Sequence, residues 1–432
     1  MRISLRSLIT SGRESSGVMY ERLDGNLVLR AVDSDSDIDR YAEFNAKYNG
    51  ESQGMHSRCL FAHPLAERSD FLMIEDANTG EVVSTTCLVP WQCSFDGVPI
   101  KAAMLEMVLT HPGYRKKGLI RFQIERFTEK TKDGGYDLGI IWGINYYYRQ
   151  FGYTYCLDGN MFDTLSVCVI PDKQPDVPEL RLRKADAGDA DLLQQLHEKT
   201  AKQDLYVTRD ARHWMFMLQT PRFPAYIAEN DDGACGYVIY KKDTGGDIRI
   251  LEDGFTDAGA GFSILQAFKN EAASRITIDW PEDGTLVKLT RSFGSVPSRR
   301  NQWLVRIPDI PVFFRRIAPA LDKRLADSIY YGISRDLVIN LYDRAYKLRF
   351  TDGKLTDAAD IGFKDASMYA DGGDICIPRD AFTRLLLGYR TLDQLFDAWP
   401  DICVKPETRG FIDALFPLMS SYFNTPYAYQ GQ

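Results

Sequence analysis

The chain has 432 residues, too many for one ordinary core, and domains of roughly 100 to 200 residues imply about three. With 44% hydrophobic and 26% charged residues, and no apolar run near the ~18 needed to cross a bilayer, it reads as a soluble globular protein without a membrane-spanning role. A formal charge of -8 argues against nucleic acid as the main partner, because phosphate neutralisation needs a dominant basic face, and favours cationic ligands instead.

The first residues alternate apolar positions with Arg6, Ser7, Thr10 and Ser11 before any signal-peptide core forms, so a cytoplasmic location is expected. The eight cysteines stand singly, with no CxxC pair, and the five histidines have no ligand spacing. Reduced thiols and no metal site are the expectation.

Residues 27–33 read Leu-Val-Leu-Arg-Ala-Val-Asp, and a helix is predicted from Ile38 to Tyr48. A hairpin follows, with Phe71 to Glu75 running through the turn Asn78-Thr-Gly80 into Val82 to Leu88. Further on, Leu105, Met107 and Leu109 alternate with Glu106, Val108 and Thr110, a strand with two differently furnished faces. His111-Pro-Gly-Tyr114 stops it, and Arg115-Lys-Lys-Gly-Leu-Ile120 opens an amphipathic helix that ends near Gly134-Gly135. Glycine lets a ligand approach the backbone, and helix N-H groups with three cations suit a pyrophosphate. Cations at a helix N-terminus oppose the macrodipole, so they call for an anionic partner.

The next strand, Leu138 to Trp142, leads through Gly143-Ile144-Asn145 into Tyr146-Tyr-Tyr148-Arg-Gln-Phe-Gly-Tyr153. A tyrosine with a pKa near ~10 stays protonated at neutral pH and can donate to a departing thiolate. Residues 180–186 then repeat the opening pattern as Leu-Arg-Leu-Arg-Lys-Ala-Asp, with a helix from Asp191 to Lys202 and a second hairpin, Tyr226 to Glu229 and Gly236 to Tyr240. One domain plan is used twice. The copies diverge at residues 253–261, Asp-Gly-Phe-Thr-Asp-Ala-Gly-Ala-Gly, where the basic turn has no counterpart. From Pro308 the texture changes: a Pro-marked helix entry, a strand-like run from Asp336 to Phe350 up to the turn Asp352-Gly353, and helices over Pro378 to Leu387 and Thr391 to Ala398.

Arg115-x-x-Gly118-x-Ile120 resembles the acetyl-CoA cradle of the GNAT acetyltransferase superfamily. The large aliphatic Ile120, the following Arg121, the Phe-Gly-Tyr ending and the three-part length resemble its enhanced intracellular survival (Eis) branch over essentially the whole chain. That resemblance implies an α/β (α+β) chain with tandem GNAT domains, each a mixed, mostly antiparallel sheet with splayed central strands, and a sterol-carrier-protein-like C-terminal domain. The corresponding ranges are 1–160, 161–307 and 308–432, the second lacking a cofactor cradle.

The resemblance also implies roles. Val108, Leu109 and Thr110 would meet the pantetheine arm of acetyl-CoA. Arg115, Lys116, Lys117, Gly118, Leu119, Ile120 and Arg121 would hold the pyrophosphate, and Gly143 and Ile144 would line the far side. Tyr148 takes the general-acid position. The base is the family's terminal carboxylate, here that of Gln432, or the strand carboxylate Glu106, or water. Because the family's usual last aromatic matches Phe423, nine residues follow where that family ends. The implied acceptor is a primary amine (aminoglycoside-like, polyamine or lysine) and the implied assembly a hexamer. The rival class is a non-catalytic protein that senses acyl-CoA or binds lipid or peptide.

Overall fold

A computed structural model describes residues 11–13, 19–23, 25–159, 161–172, 179–219, 224–255, 257–279, 281, 283–298, 302–366 and 372–425. The chain forms two compact units. The first comprises the residues up to Trp91 together with Ala102–Ile141, and the second holds Gln92–Lys101 and the chain from Trp142 onward.

In the first unit, strands β1 (Ser11–Arg13), β2 (Met19–Arg22) and β3 (Leu27–Ala31) precede helices α1 (Asp35–Asn49) and α2 (Glu51–Phe61). Strands β4 (Phe71–Asp76), β5 (Glu81–Phe95) and β6 (Val98–Thr110) follow, then α3 (Leu119–Asp133) and β7 (Leu138–Ile141). The strands lie in chain order, antiparallel from β1 to β5, and β6 pairs with β7 in parallel. Ser34 caps α1 through a reciprocal box with Asp37, which sets where the helix starts. Leu29, Ile74, Val83, Leu119 and Phe122 pack α3 onto the sheet.

The second unit begins with β8 (Thr154–Asp158), β9 (Phe162–Ser166), β10 (Arg181–Lys184), α4 (Ala190–Thr200), β11 (Leu205–Val207) and α5 (Ala211–Gln219). It continues with β12 (Ala225–Asn230), β13 (Gly233–Lys242), β14 (Ile248–Phe255), α6 (Ala258–Glu271), β15 (Arg275–Asp279), α7 (Thr285–Ser292) and β16 (Val296–Pro297). Seven of these strands form one sheet in the order β10-β12-β13-β14-β15-β9-β16, with β14 and β15 parallel. After β17 (Gln302–Arg306), the long helix α8 (Ile310–Ala326) lies along a five-stranded sheet built on β18 (Arg335–Asn340), β19 (Ala345–Thr351) and β20 (Lys354–Gly362). Arg315 on α8 donates to the Ala358 carbonyl of β20 at 2.5 Å. Helices α9 (Arg379–Leu386) and α10 (Leu392–Phe396) occupy the spans read from the apolar spacing.

The repeat seen in the sequence is a repeat of contacts. Arg30 on β3 donates to Glu75 at 2.8 Å and to Asp37 at 2.8 Å, while Arg183 on β10 donates to Glu229 at 3.1 Å and to Asp189 at 2.8 Å. In each copy a strand arginine ties the capping aspartate of the next helix to the hairpin. Register extends the match: β6–β7 pairing runs from Ala102↔Leu138 to Met104↔Ile140, and β14–β15 pairing from Ile248↔Ile276 to Ile250↔Ile278. Parallel pairing thus stops two residues before Glu106 in one copy and two before Glu252 in the other.

Candidate active site

Beyond Met104 and Ile140 strands β6 and β7 are no longer paired, and the backbone of β6 breaks its own pleat three residues later. Met107 has φ = 52°, a left-handed conformation that is costly for a side chain of this size. The strict two-faced alternation expected for this strand therefore fails after Met107, and Val108 and Leu109 are both half-exposed. The Met107 carbonyl is held by the Thr85 hydroxyl at 3.0 Å, and its sulfur meets Ser57 Oγ at 3.0 Å. A left-handed residue in a strand turns the following N-H groups away from the regular ladder, here on the side where β6 has parted from β7.

The turn after β6 is stiff. His111 Nδ1 accepts from Gly113 N-H at 3.0 Å, the Tyr114 hydroxyl donates to Asp76 at 2.8 Å, and the Lys117 ammonium sits 4.5 Å from the Tyr114 ring centre. The expectation that Arg115 to Lys117 open the helix needs correction. Lys116 (φ 66°) and Gly118 (φ 83°) are both left-handed, so the helix begins only at Leu119 with Gly118 as its cap. Arg115, Lys116 and Lys117 stand in front of the helix N-terminus and Arg121 in its first turn, all facing the positive end of the macrodipole, so they still favour an anionic partner. Arg115, Lys116, Lys117 and Arg121 are exposed, Ile120 is half-buried and Leu119 is buried. The first N-H groups of α3 lack intrahelical acceptors, so this turn has donors and positive charge for a phosphate-bearing ligand. Beneath it the fully buried Gln123 of α3 meets Ser84 Oγ at 2.7 Å. That hydroxyl also lies 2.9 Å from Thr110 Oγ1 and from the Leu109 carbonyl, which fixes helix to strand.

Glu106 lies on the partly exposed face of β6, near Tyr41 of α1 and Cys87 of β5, whose ionisations both feel its charge. Burial pushes its carboxyl up to about 7 against a weaker opposing pull from the Met107 N-H. A carboxyl poised there exchanges protons readily near neutral pH.

In the second unit Tyr147–Phe151 form a short 3-10 helix, entered through Tyr146 (φ 70°) and closed by Gly152 (φ 81°). Of the three consecutive tyrosines only Tyr148 is buried, at 4% exposure, whereas Tyr146 is 73% exposed. The Tyr148 ring packs against Gly143, where a Cβ would come within 2.1 Å of its Cε2, so only glycine admits the ring. Ile144 is 71% exposed. Gln432 lies outside the described residues. Phe423, matched in the sequence to a chain end, is buried against Trp303 at 5.3 Å, and Asn424 and Thr425 after it are buried too.

The second copy keeps one half of this arrangement. Asp257 caps α6 by accepting from Ala260 N-H at 2.8 Å, so a carboxylate occupies this helix N-terminus, whereas Gly118 gives α3 no side-chain cap. Sequence reading missed the buried Arg209, Glu252 and Asn424, and aligning the two parallel strand pairs would have placed Glu252 opposite Glu106. Among the described residues no group of histidine, cysteine and carboxylate side chains is placed to hold a metal ion, and no helix is long and apolar enough to cross a membrane.

Comparison with known proteins agrees with the fold. Residues 34–156 match the family described as acetyltransferase (GNAT) domain. No curated protein matches the chain. Among solved structures, a probable N-acyltransferase from Enterococcus faecalis superposes with a TM-score of 0.73 at 13% identity, covering 93% of this chain and 100% of its own. A GCN5-related N-acetyltransferase from Anabaena variabilis gives 0.70 at 15% identity, covering 92% and 99%. Eis1 from Mycobacterium abscessus gives 0.62 at 16% identity, again covering 92% and 99%. The chain carries a GNAT acetyltransferase domain, and with it the acyltransferase class of enzyme.

Proposed function

We propose that this protein transfers the acetyl group of acetyl-CoA directly to a primary amine, and that it belongs to the Eis branch of GNAT enzymes. The observation that carries the reading is the stretch of β6 that parts from β7 and turns left-handed at Met107 before the Gly118-capped turn, a strand edge and helix N-terminus suited to a thioester arm and its pyrophosphate. Acetyl-CoA supplies the activated carbonyl and a thiolate leaving group. Residues Arg115 to Arg121 would hold the phosphates, Val108, Leu109 and Thr110 the pantetheine arm, and Gly143 and Ile144 its far side.

An alkylammonium with a pKa near ~10 must lose a proton before it attacks. Glu106, raised to about 7, is suited to take it, directly or through water. Backbone N-H groups near Val108 would stabilise the oxygen as it gains charge, and Tyr148 would protonate the departing sulfur. No Cys-His or Ser-His pair in the motif suggests a covalent enzyme intermediate. The terminal carboxylate of Gln432 is the competing base. A truncation after Thr425 separates the two, since it keeps the Asn424 side-chain bonds while moving the terminal carboxylate from Gln432 back to Thr425.

Three domains, 1–160, 161–307 and 308–432, fit the reading: the repeated arginine contacts support the tandem, and the five-stranded sheet with α8 supports a sterol-carrier-like third part. The Eis reading also carries a hexameric assembly, which light scattering tests. The deciding experiment is release of free CoA thiol from acetyl-CoA with a panel of primary amines, from about pH 6 to about pH 9. Amine-dependent release is expected. Its absence across the panel would favour an acyl-CoA-sensing or lipid-binding role.

A further inference from the structure

Between α4, β14 and the start of α7, wholly within the second unit, lies a cleft with about 510 Å³ of empty space, part of it open to solvent. Its floor is a closed ion pair. Arg209 donates to both oxygens of Glu252, at 2.5 and 2.8 Å, and to the Asn424 carbonyl at 3.1 Å. Tyr237 donates to Glu252 at 2.8 Å, and His197 Nδ1 is 3.0 Å from the Tyr237 hydroxyl. Burial and the Arg209 charge push His197 down to about 4, so it is neutral. Arg209 and Glu252 cancel, which leaves Asp253, whose carboxyl is pushed up to about 7 by burial and the Glu252 charge, as the group that an incoming cation would draw into its ionised form.

Two acceptors in the lining have no donor. Asp253 Oδ2 and Asn424 Oδ1 are buried and unpartnered, and Asn424 is only 3% exposed. The Asn424 amide cannot be turned the other way. Its Nδ2 donates to Glu252 at 2.7 Å and to the Leu251 carbonyl at 3.2 Å, both acceptors, so the orphan is the carbonyl oxygen. Orphaned acceptors call for a donor, and Arg209 has spent its fork on Glu252. The rings of Tyr206, Tyr237 and Tyr422 also line the space, and aromatic faces attract cations. An anion finds no unmatched positive charge here.

We propose that this cleft is a second, non-catalytic binding site for a small primary alkylammonium ion, which donates to Asp253 and Asn424. It occupies the place that Glu106 marks in the first copy, without the phosphate-binding turn, so it holds an amine and cannot acetylate it. The site stands apart from the acetyl-transfer reading, because it is tested by binding with no acetyl-CoA present.

The test is calorimetric titration of the full-length protein with n-butylamine and, in parallel, with the neutral 1-butanol. Butylamine is expected to bind and butanol to bind at least ~10-fold more weakly. Asp253→Asn should weaken butylamine at least ~10-fold, while Gly118→Trp leaves it unchanged. Thr285→Trp, which fills the cleft from its rim and gives up the 3.5 Å contact of the Thr285 hydroxyl with the Phe255 carbonyl, should abolish binding and stands in for Asp253→Asn if that variant does not fold. Equal affinity for butanol would overturn the proposal. So would butylamine binding that survives both cleft variants, binding lost only in Glu106→Gln, or no binding at all, which would mean that water alone fills the cleft.

Discussion

Glu106→Gln tests the catalytic reading through stability as well as rate. The folded carboxyl titrates at about 7 instead of 4.5, so keeping it ionised costs about 3 kcal/mol at roughly 1.4 per unit, reduced to about 1–3 by its partial exposure. A raised pKa stabilises the fold fully below 4.5, and that contribution is lost as the pH rises through about 7. Urea denaturation of the wild type should therefore lose about 1–3 kcal/mol across this window beyond whatever the variant loses. In the variant the difference should vanish, making it the more stable protein near pH 8 and the slower enzyme. Its kcat/KM profile should lose the inflection near 7 that is expected of the wild type. Parallel stability curves for the two proteins would refute the buried-carboxylate reasoning. An unchanged kcat/KM profile would refute the base assignment alone.

Tyr148→Phe keeps the ring on Gly143 and should lower kcat by about 10²- to 10⁴-fold with little change in acetyl-CoA affinity, read by thiol release. Gly143→Ala places a methyl inside that ring and should cost about 1–3 kcal/mol by thermal denaturation, with loss of rate from displacement of the tyrosine. Gly118→Val strains a left-handed cap and should raise KM for acetyl-CoA at least ~10-fold while leaving α3 folded by circular dichroism. Glu252→Ala strands the buried Arg209 charge and should destabilise the second unit by about 3–5 kcal/mol in urea, more than any substitution on the exposed basic turn.

The sequence by itself determined the elements whose signals are local. The capped helices, the hairpin turns, the glycine-bearing basic turn and the repeated strand arginines all declare themselves within a few residues, because caps, turns and periodicity act over one or two turns of chain. The choice of Tyr148 among the three tyrosines came from the family resemblance, through the pattern ending Phe151-Gly-Tyr153. Other features needed the fold. The left-handed Met107 interrupts a run that reads as plain alternation, and the side chains that hold it, Ser57 and Thr85, come from elsewhere in the chain. That Lys116 and Lys117 precede the helix followed from two left-handed residues, only one of them glycine. The amine cleft was invisible for the same reason: Arg209, Glu252 and Asn424 are up to 215 positions apart, and only tertiary packing shows that two acceptors there lack a donor. Burial decides which carboxylates are raised, and burial is a property of the assembled chain.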